Sequence, residues 1–423
     1  MVYGSARQSY IKMLEPVQNQ ALRICLNAFR SSPRESLHVE ANEQPLHIRH
    51  IKLSLQYATK LYSNKTNPAH STVFKPKFRQ EFLDNENTIP SFGIRIDKHI
   101  KEAKIKLENV ASYKISNIPP WKLTRPVVLK QLSASLKGET DPIEYRTRFE
   151  SIRQSWTGFE EIYTDGSKYE EQAACAVVTR NNTFSKRLPD RASIFSAEVQ
   201  ALQMALRFAH ISEKNEFIIF VDSKSVLEAF ENMKLDNPSI FNLVMLHHEV
   251  AKNNIVIFCW IPSHIGIAGN EKADKAAKEA LNLERSDVLI PHTDFRPNII
   301  EYTKKLWQSE WDEKVDNKLR KIQPLVGKQQ PKLSSIRDDM VIRRARIGHT
   351  YLTHKYLMVK EDQPLCNACN ELLTVKHVLI DCGVYQNIRN RYYSERTLKD
   401  LFNSNKNAEI IQFLKEIELY YKF

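Results

Sequence analysis

Glycine is scarce in this chain, 10 of 423 residues, where globular proteins carry about 7%. Glycine-rich phosphate cradles are therefore not expected, and neither a P-loop nor a GxGxxG pattern occurs. Nucleotide kinases and dinucleotide enzymes drop away. Cysteine is also sparse, with six in the whole chain, too few for a disulfide framework at this length. Long apolar runs are missing: Phe217 to Val221 and Ile255 to Trp260 fall far short of the ~18 residues of a membrane span. The N-terminus has no apolar signal core, so a reducing, intracellular compartment is expected, with nothing to choose between nucleus and cytoplasm.

What is present is charge and apolar patterning. The chain is 42% hydrophobic and 26% charged, with a net charge of +12, a globular balance with a bias toward polyanionic partners. The surplus is uneven: +10 over residues 1–150, −4 over 151–300 and +6 over 301–423. The first 65 residues read as helical. Leu14, Val17, Ala21, Cys25 and Ala28 form one stripe, Ser32, Pro33 and Glu35 a capping box, and Ile48, Ile51, Leu55, Ala58 and Tyr62 a second stripe. Residues 66–157 read as an irregular linker, with Pro119, Pro120 and Trp121 inside it. The Lys75–Arg79 stretch, basic with interleaved Phe, is there either a solvated run or a nucleic-acid contact.

The period then changes. Residues 160–167, 172–180, 183–188, 216–222 and 255–262 read as strands, and helical stripes cover 194–210, 223–233, 239–252 and 270–281. This order predicts an α/β sheet with helices on its faces. Four acids sit where the pattern reserves places for buried side chains. Asp165 and Asp222 end strands, where open α/β sheets place ligands. Glu198 shares a helix face with Leu202, Ala205 and Ala209, and Asp274 one with Ala277 and Leu281. A helix cap or a salt bridge explains any one of them. Four together, without Lys or Arg on the inferred inner faces, would repel one another unless a divalent cation neutralised them. Hard oxygen ligands suit Mg²⁺ or Mn²⁺, and the chemistry that uses such a group is two-metal phosphodiester hydrolysis.

The blocks TDGS at 164–167, SAEVQAL at 196–202, VDSKSV at 221–226 and WIPSHIGIAGNEKAD at 260–274 resemble, in this order and spacing, the ribonuclease H family. The resemblance covers residues 158–283. It implies a five-stranded mixed sheet and a metal-dependent endonuclease for the RNA strand of RNA:DNA hybrids. By the same resemblance, two Mg²⁺ or Mn²⁺ ions per site would be bridged by Asp165 and completed by Glu198, Asp222 and Asp274. His264 would assist proton transfer or product release, and Ser167 and Asn270 would lie near the hybrid backbone. The segment from Leu14 to Leu46 resembles the region that follows the polymerase domain in arthropod non-LTR retrotransposons of the Jockey and R1 type. No Phe/Tyr-x-Asp-Asp polymerase motif precedes the module, so the chain is not expected to polymerise DNA, and a polymerase partner in trans stays open.

Beyond Pro291 a stripe of Trp307, Trp311, Val315 and Leu319 reads as helical core. The basic run Arg343, Arg344, Arg346 with His349 reads as a phosphate grip or a solvated face. Cys366, Cys369, His377 and Cys382 have the donors and the CxxC turn of a closed zinc site; the competing reading is three core cysteines and an unrelated histidine. Cys25, Cys175 and Cys259 read as core. Some features depart from well-studied cellular ribonucleases H. The turn at 168–172 is acidic and lacks glycine, only 234–238 separates the second and third helices, and the module is net negative, so long-range attraction to a polyanion would come from the flanks. Two alternatives to the nuclease stand beside it: a catalytically inactive nucleic-acid-binding remnant of a retroelement, and a fragment of a decayed element.

Overall fold

A computed structural model describes residues 8–84, 89–113, 116–134 and 140–423. The chain divides into two compact units, Leu55–Asn85 with Pro90–Ile299, and Met1–Ser54 with Glu86–Ile89 and Ile300–Phe423.

The first of these holds a mixed sheet of β1 (Val127–Leu129), β2 (Glu160–Tyr169), β3 (Gln172–Val178), β4 (Thr183–Arg187), β5 (Glu216–Val221) and β6 (Ile255–Trp260), in the order β1-β6-β5-β2-β3-β4. β2, β5, β6 and β1 pair in parallel, and β2, β3 and β4 form an antiparallel meander. The apolar run of β5 is buried on both faces because helices cover both. Phe217, Ile219 and Val221 pack with Val199, Leu202, Leu206, Phe230 and Leu243. Ile218 and Phe220 point the other way, toward Tyr145, Phe149 and Ala273. The first layer is built from the helices Ile194–Ile211, Lys224–Glu231 and Pro238–Val250, the second from Pro142–Ser155 and Ala268–Glu279.

The sheet has a sixth strand beyond the five expected. Its three residues pair with Ile257–Cys259 on β6, too short a run for periodicity to register. It lies in the stretch read as linker, which is largely structured. Helices occupy Ala69–Phe74, Arg79–Asp84, Phe92–Glu102 and Pro142–Ser155. The last starts where Asp141 Oδ1 accepts from the Ile143 amide at 2.7 Å, with proline in its first turn. It buries Tyr145 and Phe149, spaced four apart, and Phe149 meets Phe220 edge to face. Two apolar anchors in a charged sequence gave too weak a stripe to read, although Asp-Pro was a readable start signal.

In the other unit the N-terminal helices and the tail belong together. The helix Glu15–Leu26 buries Leu22 and Leu26 against Leu37, while Leu14, Val17, Ala21 and Cys25 of the expected stripe are exposed. The helix carries apolar residues on two faces, and contact with the helix Arg34–Ala41 selects the other one. That second helix starts after Pro33 without a side-chain cap, and Ser32 Oγ is buried without a hydrogen-bond partner, so no capping box forms. Trp307 and Trp311 pack with Val39, Ile48, Leu319 and Ile347. Their helix ends at Asp312, which leaves Val315 exposed. The basic run neither grips phosphate nor faces solvent. Arg343 and Arg346 are buried around Glu40, at 3.5 and 3.1 Å, and Arg344 donates to the carbonyls of Asn27 and Phe423. The Glu40 carboxylate is inaccessible, so the two guanidiniums compensate its buried charge.

Candidate active site

β2 and β5 run side by side with Thr164 opposite Val221. The residue that follows in each segment is an aspartate, Asp165 still within β2 and Asp222 just past the end of β5, so the two fall next to one another at the spacing of neighbouring strands, ~4.8 Å. Asp165 does not end its strand: β2 continues to Tyr169 along β3, with Asp165 opposite Ala176. It stands where the parallel ladder with β5 stops and the hairpin ladder goes on.

Glu198 arrives from the helix Ile194–Ile211. Gly166 allows the approach, because a Cβ there would lie 2.8 Å from the Glu198 amide nitrogen and 3.0 Å from its Cδ. Gly166→Ala is therefore expected to push the helix start away from β2, lowering stability by about 1–3 kcal/mol and any site activity by roughly ten-fold or more. Thermal melts and turnover of the same preparation check it.

Carboxylate oxygens of Asp165, Glu198 and Asp222 all lie within 4.8 Å of one another. Burial, then the charges of Asp222 and Asp274, push Asp165 up to about 8. Burial, with Asp222 and Asp165, raises Glu198 well above the usual carboxylate range. Glu198 Oε2 is buried with no hydrogen-bond partner. Burial also raises Asp222, against the Asn270 hydrogen bond and the His264 charge. Three crowded acids, one with a buried oxygen that has no hydrogen-bond partner, are a donor set suited to a divalent cation, and hard oxygens fit Mg²⁺ or Mn²⁺.

Asp274, on the helix Ala268–Glu279, is outside that trio. Its charge reaches Asp165, but its Oδ2 accepts from Lys278 Nζ at 2.7 Å. The i, i+4 spacing was legible, and it supplies a neutralising lysine that the inner-face reading left out. Lys278→Gln is expected to free Asp274 and tighten Mg²⁺ binding by about two-fold, since exposed pairs of this kind are weak; calorimetric titration checks it.

His264 lies exposed in the loop after β6 with φ +55, close enough to Asp222 for its charge to act there. Asn270 is buried and donates from Nδ2 to Asp222 Oδ2 at 3.4 Å. Ser167 is two residues beyond Asp165 on the same face of β2 and is buried.

A second cluster lies in the other unit. Cys366, Cys369, His377 and Cys382 bring their donor atoms within 4.8 Å of one another. The Cys366 and Cys369 sulfurs are 4.0 and 3.7 Å from Cys382 Sγ, against the ~3.8 Å edge of a tetrahedron of ~2.3 Å zinc–sulfur bonds. The CxxC turn closes through the Asn370 amide to the Cys366 carbonyl and the Cys366 amide to the Glu371 carbonyl, both 2.8 Å. The backbone amides of Ala368 and Cys369 pull the Cys366 thiol down to about 6. His377 opens a π turn, His377–Asp381, and is buried. Neither ring nitrogen makes a hydrogen bond, although the Glu371 carboxylate stands 3.4 Å from Nδ1. A buried imidazole with unsatisfied nitrogens beside three sulfurs fits zinc. Cys175 and Cys259 are core, whereas Cys25 is exposed.

A parallel-antiparallel sheet clothed by helices, with carboxylates at the end of its parallel ladder, has the ribonuclease H-like architecture. Residues 159–282 match the RNase H family model. Over 118 residues the chain is 33% identical to a Pol polyprotein of equine infectious anemia virus (isolate 1369), covering 28% of this chain and 10% of the viral one. Over 134 residues it is 31% identical to the Gag-Pol polyprotein of bovine immunodeficiency virus (strain R29), covering 31% and 8%. The matches span a tenth or less of those relatives' length. Residues 159–282 thus form an RNase H domain by the family model, and part of the chain is similar to parts of retroviral Pol and Gag-Pol polyproteins. Among the described residues no helix is long and apolar enough to cross a membrane.

Proposed function

We propose that this protein is a metal-dependent endonuclease that hydrolyses the RNA strand of RNA:DNA hybrids. The observation that carries the reading is the convergence of Asp165, Glu198 and Asp222 within 4.8 Å, with a buried Glu198 oxygen left without a partner. These three would hold Mg²⁺ or Mn²⁺, with Asp274 joining them on release from Lys278. Held by these residues, divalent cations would supply a lowered pKa for water and neutralisation of charge on a leaving oxygen. The chain's own residues supply the rest. Asn270 orients Asp222, and the His264 imidazole is placed in an accessible loop to receive or deliver a proton. Ser167 and Asn270 would meet the sugar-phosphate backbone, and the 2′-hydroxyls would mark the strand to be cut.

Substrate attraction cannot come from the net-negative module as a whole. One cleft beside the N-terminal end of the Asp274 helix is lined by Arg146, Arg153, Arg180, Lys214 and Lys272. Arg153 and Lys214 are paired with Glu161 and Glu160, which leaves Arg146, Arg180 and Lys272 as the residues on that wall to meet phosphate.

The likeness to Pol polyproteins supports a retroelement origin. The Leu14–Leu46 resemblance narrows it, in our reading, to a non-LTR element of the Jockey and R1 type. The Cys366, Cys369, His377 and Cys382 cluster is read as a structural zinc site in an accessory unit formed by the N-terminal helices and the tail.

The test is cleavage of a hybrid labelled in turn on each strand, with Mg²⁺ or with a chelator. Cleavage of the RNA strand alone, and only with Mg²⁺, is expected. A second reading, binding without cleavage, has the Asp274–Lys278 pair in its favour; a folded protein that binds the hybrid and leaves it intact would establish that reading instead.

A further inference from the structure

The start of the Glu198 helix is held by a residue from outside the matched domain. Asp294 lies on a short turn, His292–Phe295, twelve residues past the end of the match at 282. The segment before it returns to its unit through the Ile290 amide to the Asn109 carbonyl (2.8 Å) and the Ala111 amide to the Ile290 carbonyl (2.7 Å). Asp294 is buried beside the buried Phe295. Its Oδ2 accepts from the Ser193 amide at 2.9 Å and its Oδ1 from the Ser193 hydroxyl at 3.0 Å. Ser193 is the N-cap of the Glu198 helix, where its Oγ accepts from the Ser196 amide at 3.1 Å. One residue earlier, the Ala192 carbonyl accepts from Lys168 Nζ at 2.8 Å, and Lys168 belongs to β2, three residues after Asp165.

The helix start is thus tied on one side to the strand that carries Asp165 and on the other to Asp294. Glu198 follows Ser193 by five residues, about 7.5 Å along the axis at ~1.5 Å per residue, with rigid helix between them. A shift of the cap is carried directly to the Glu198 carboxylate.

We propose that Asp294 is a positioning residue for the carboxylate pocket: through Ser193 it fixes the first turn of the helix and so sets where Glu198 stands relative to Asp165 and Asp222. The inference rests on the reading of that pocket as a divalent-cation site. Burial raises Asp294, and its bonds to Ser193 and Ser196 and the charge of Lys168 oppose the shift. An asparagine could keep both contacts by accepting from the Ser193 amide and donating to the Ser193 hydroxyl, which separates placement from charge.

The test is calorimetric titration of the full chain with Mn²⁺, with circular dichroism as the check on folding. Asp294→Ala is expected to weaken Mn²⁺ binding by about ten-fold, the scale of lost support behind metal ligands. Asp294→Asn is expected to stay within about three-fold of wild type. Ser193→Ala should also weaken binding, since it removes the hydroxyl that meets Asp294 Oδ1 and caps the Ser196 amide while the Ser193 amide stays bonded to Asp294, and the loss in the double variant should fall short of the sum of the two. Should Asp294→Ala fail to fold, the comparison of Asp294→Asn with Ser193→Ala decides: equal, undiminished affinities would overturn the proposal. Wild-type affinity in folded Asp294→Ala, or additive losses in the double variant, would overturn it while leaving the cation pocket standing. A wild-type protein that takes up no Mn²⁺ would remove the pocket and the proposal together.

Discussion

Asp165→Asn is expected to reduce hybrid cleavage by roughly a thousand-fold, about 4 kcal/mol of barrier, while raising the stability of the metal-free protein. The two effects have one cause. Asp165 shares its pocket with Asp222 and Glu198, so an uncharged amide would remove a proposed cation ligand and relieve repulsion in the same step. Without metal, burial and neighbouring charge shift Asp165 from 3.8 to about 8, and Glu198 also moves upward. A raised carboxyl means that the folded state holds a proton which the unfolded chain has released. Stability is then fully present below the unfolded value and is lost as pH rises through the folded one. The metal-free wild type should therefore melt at falling temperatures from about pH 4 to about pH 8. The trend should flatten with saturating Mg²⁺ and weaken in Asp165→Asn, with Glu198 keeping part of it. Scanning calorimetry across that range reads all three. An asparagine variant as pH-dependent as the wild type would show that Asp165 is not the strained group.

Loss of the cysteine–histidine cluster should have the largest effect on stability. His377 and Cys382 flank Val378 and Leu379, which are fully buried against Leu401, Phe413 and Leu414, so the proposed metal ligands and the tail's core share one short segment. Structural zinc in small domains contributes about 10–16 kcal/mol of binding free energy at neutral pH, comparable to the whole stability of a typical domain, about 5–15 kcal/mol. The purified chain should carry one zinc by atomic absorption. Cys369→Ser, or a strong chelator, should remove it and open residues 366–423 to proteolysis, while the carboxylate unit keeps its own melting transition. A zinc-free protein whose tail resists protease would return the cluster to ordinary core.

Much of the carboxylate unit was legible because its signals are local. The continuous apolar run of β5 and the starts of β2, β5 and β6 follow from the local pattern, although β2 runs on past Asp165 to Tyr169, and Asp165, Glu198 and Asp222 stand out as acids at apolar positions. What could not be read depends on contacts between distant parts of the chain. The β1 strand is three residues that become a strand only by lying along β6. The helix Glu15–Leu26 has two apolar faces, and only its partner helix decides which is buried. The arginines at 343 and 346 look like a surface run until Glu40, some 300 positions away, is set between them. Asp294 is a lone acid in sequence, and its meaning lies entirely in Ser193, 101 residues earlier. The Lys278 partner of Asp274 was readable from spacing alone.

The most direct test of the account is the uptake of Mn²⁺ by the pocket, followed by electron paramagnetic resonance in the wild type and in a variant carrying Asp165→Asn, Glu198→Gln and Asp222→Asn together. The account predicts bound Mn²⁺ in the first and none above background in the second, with both folded. Equal signals from the two proteins would mean that these acids do not hold the ion, and the nuclease reading would lose its foundation.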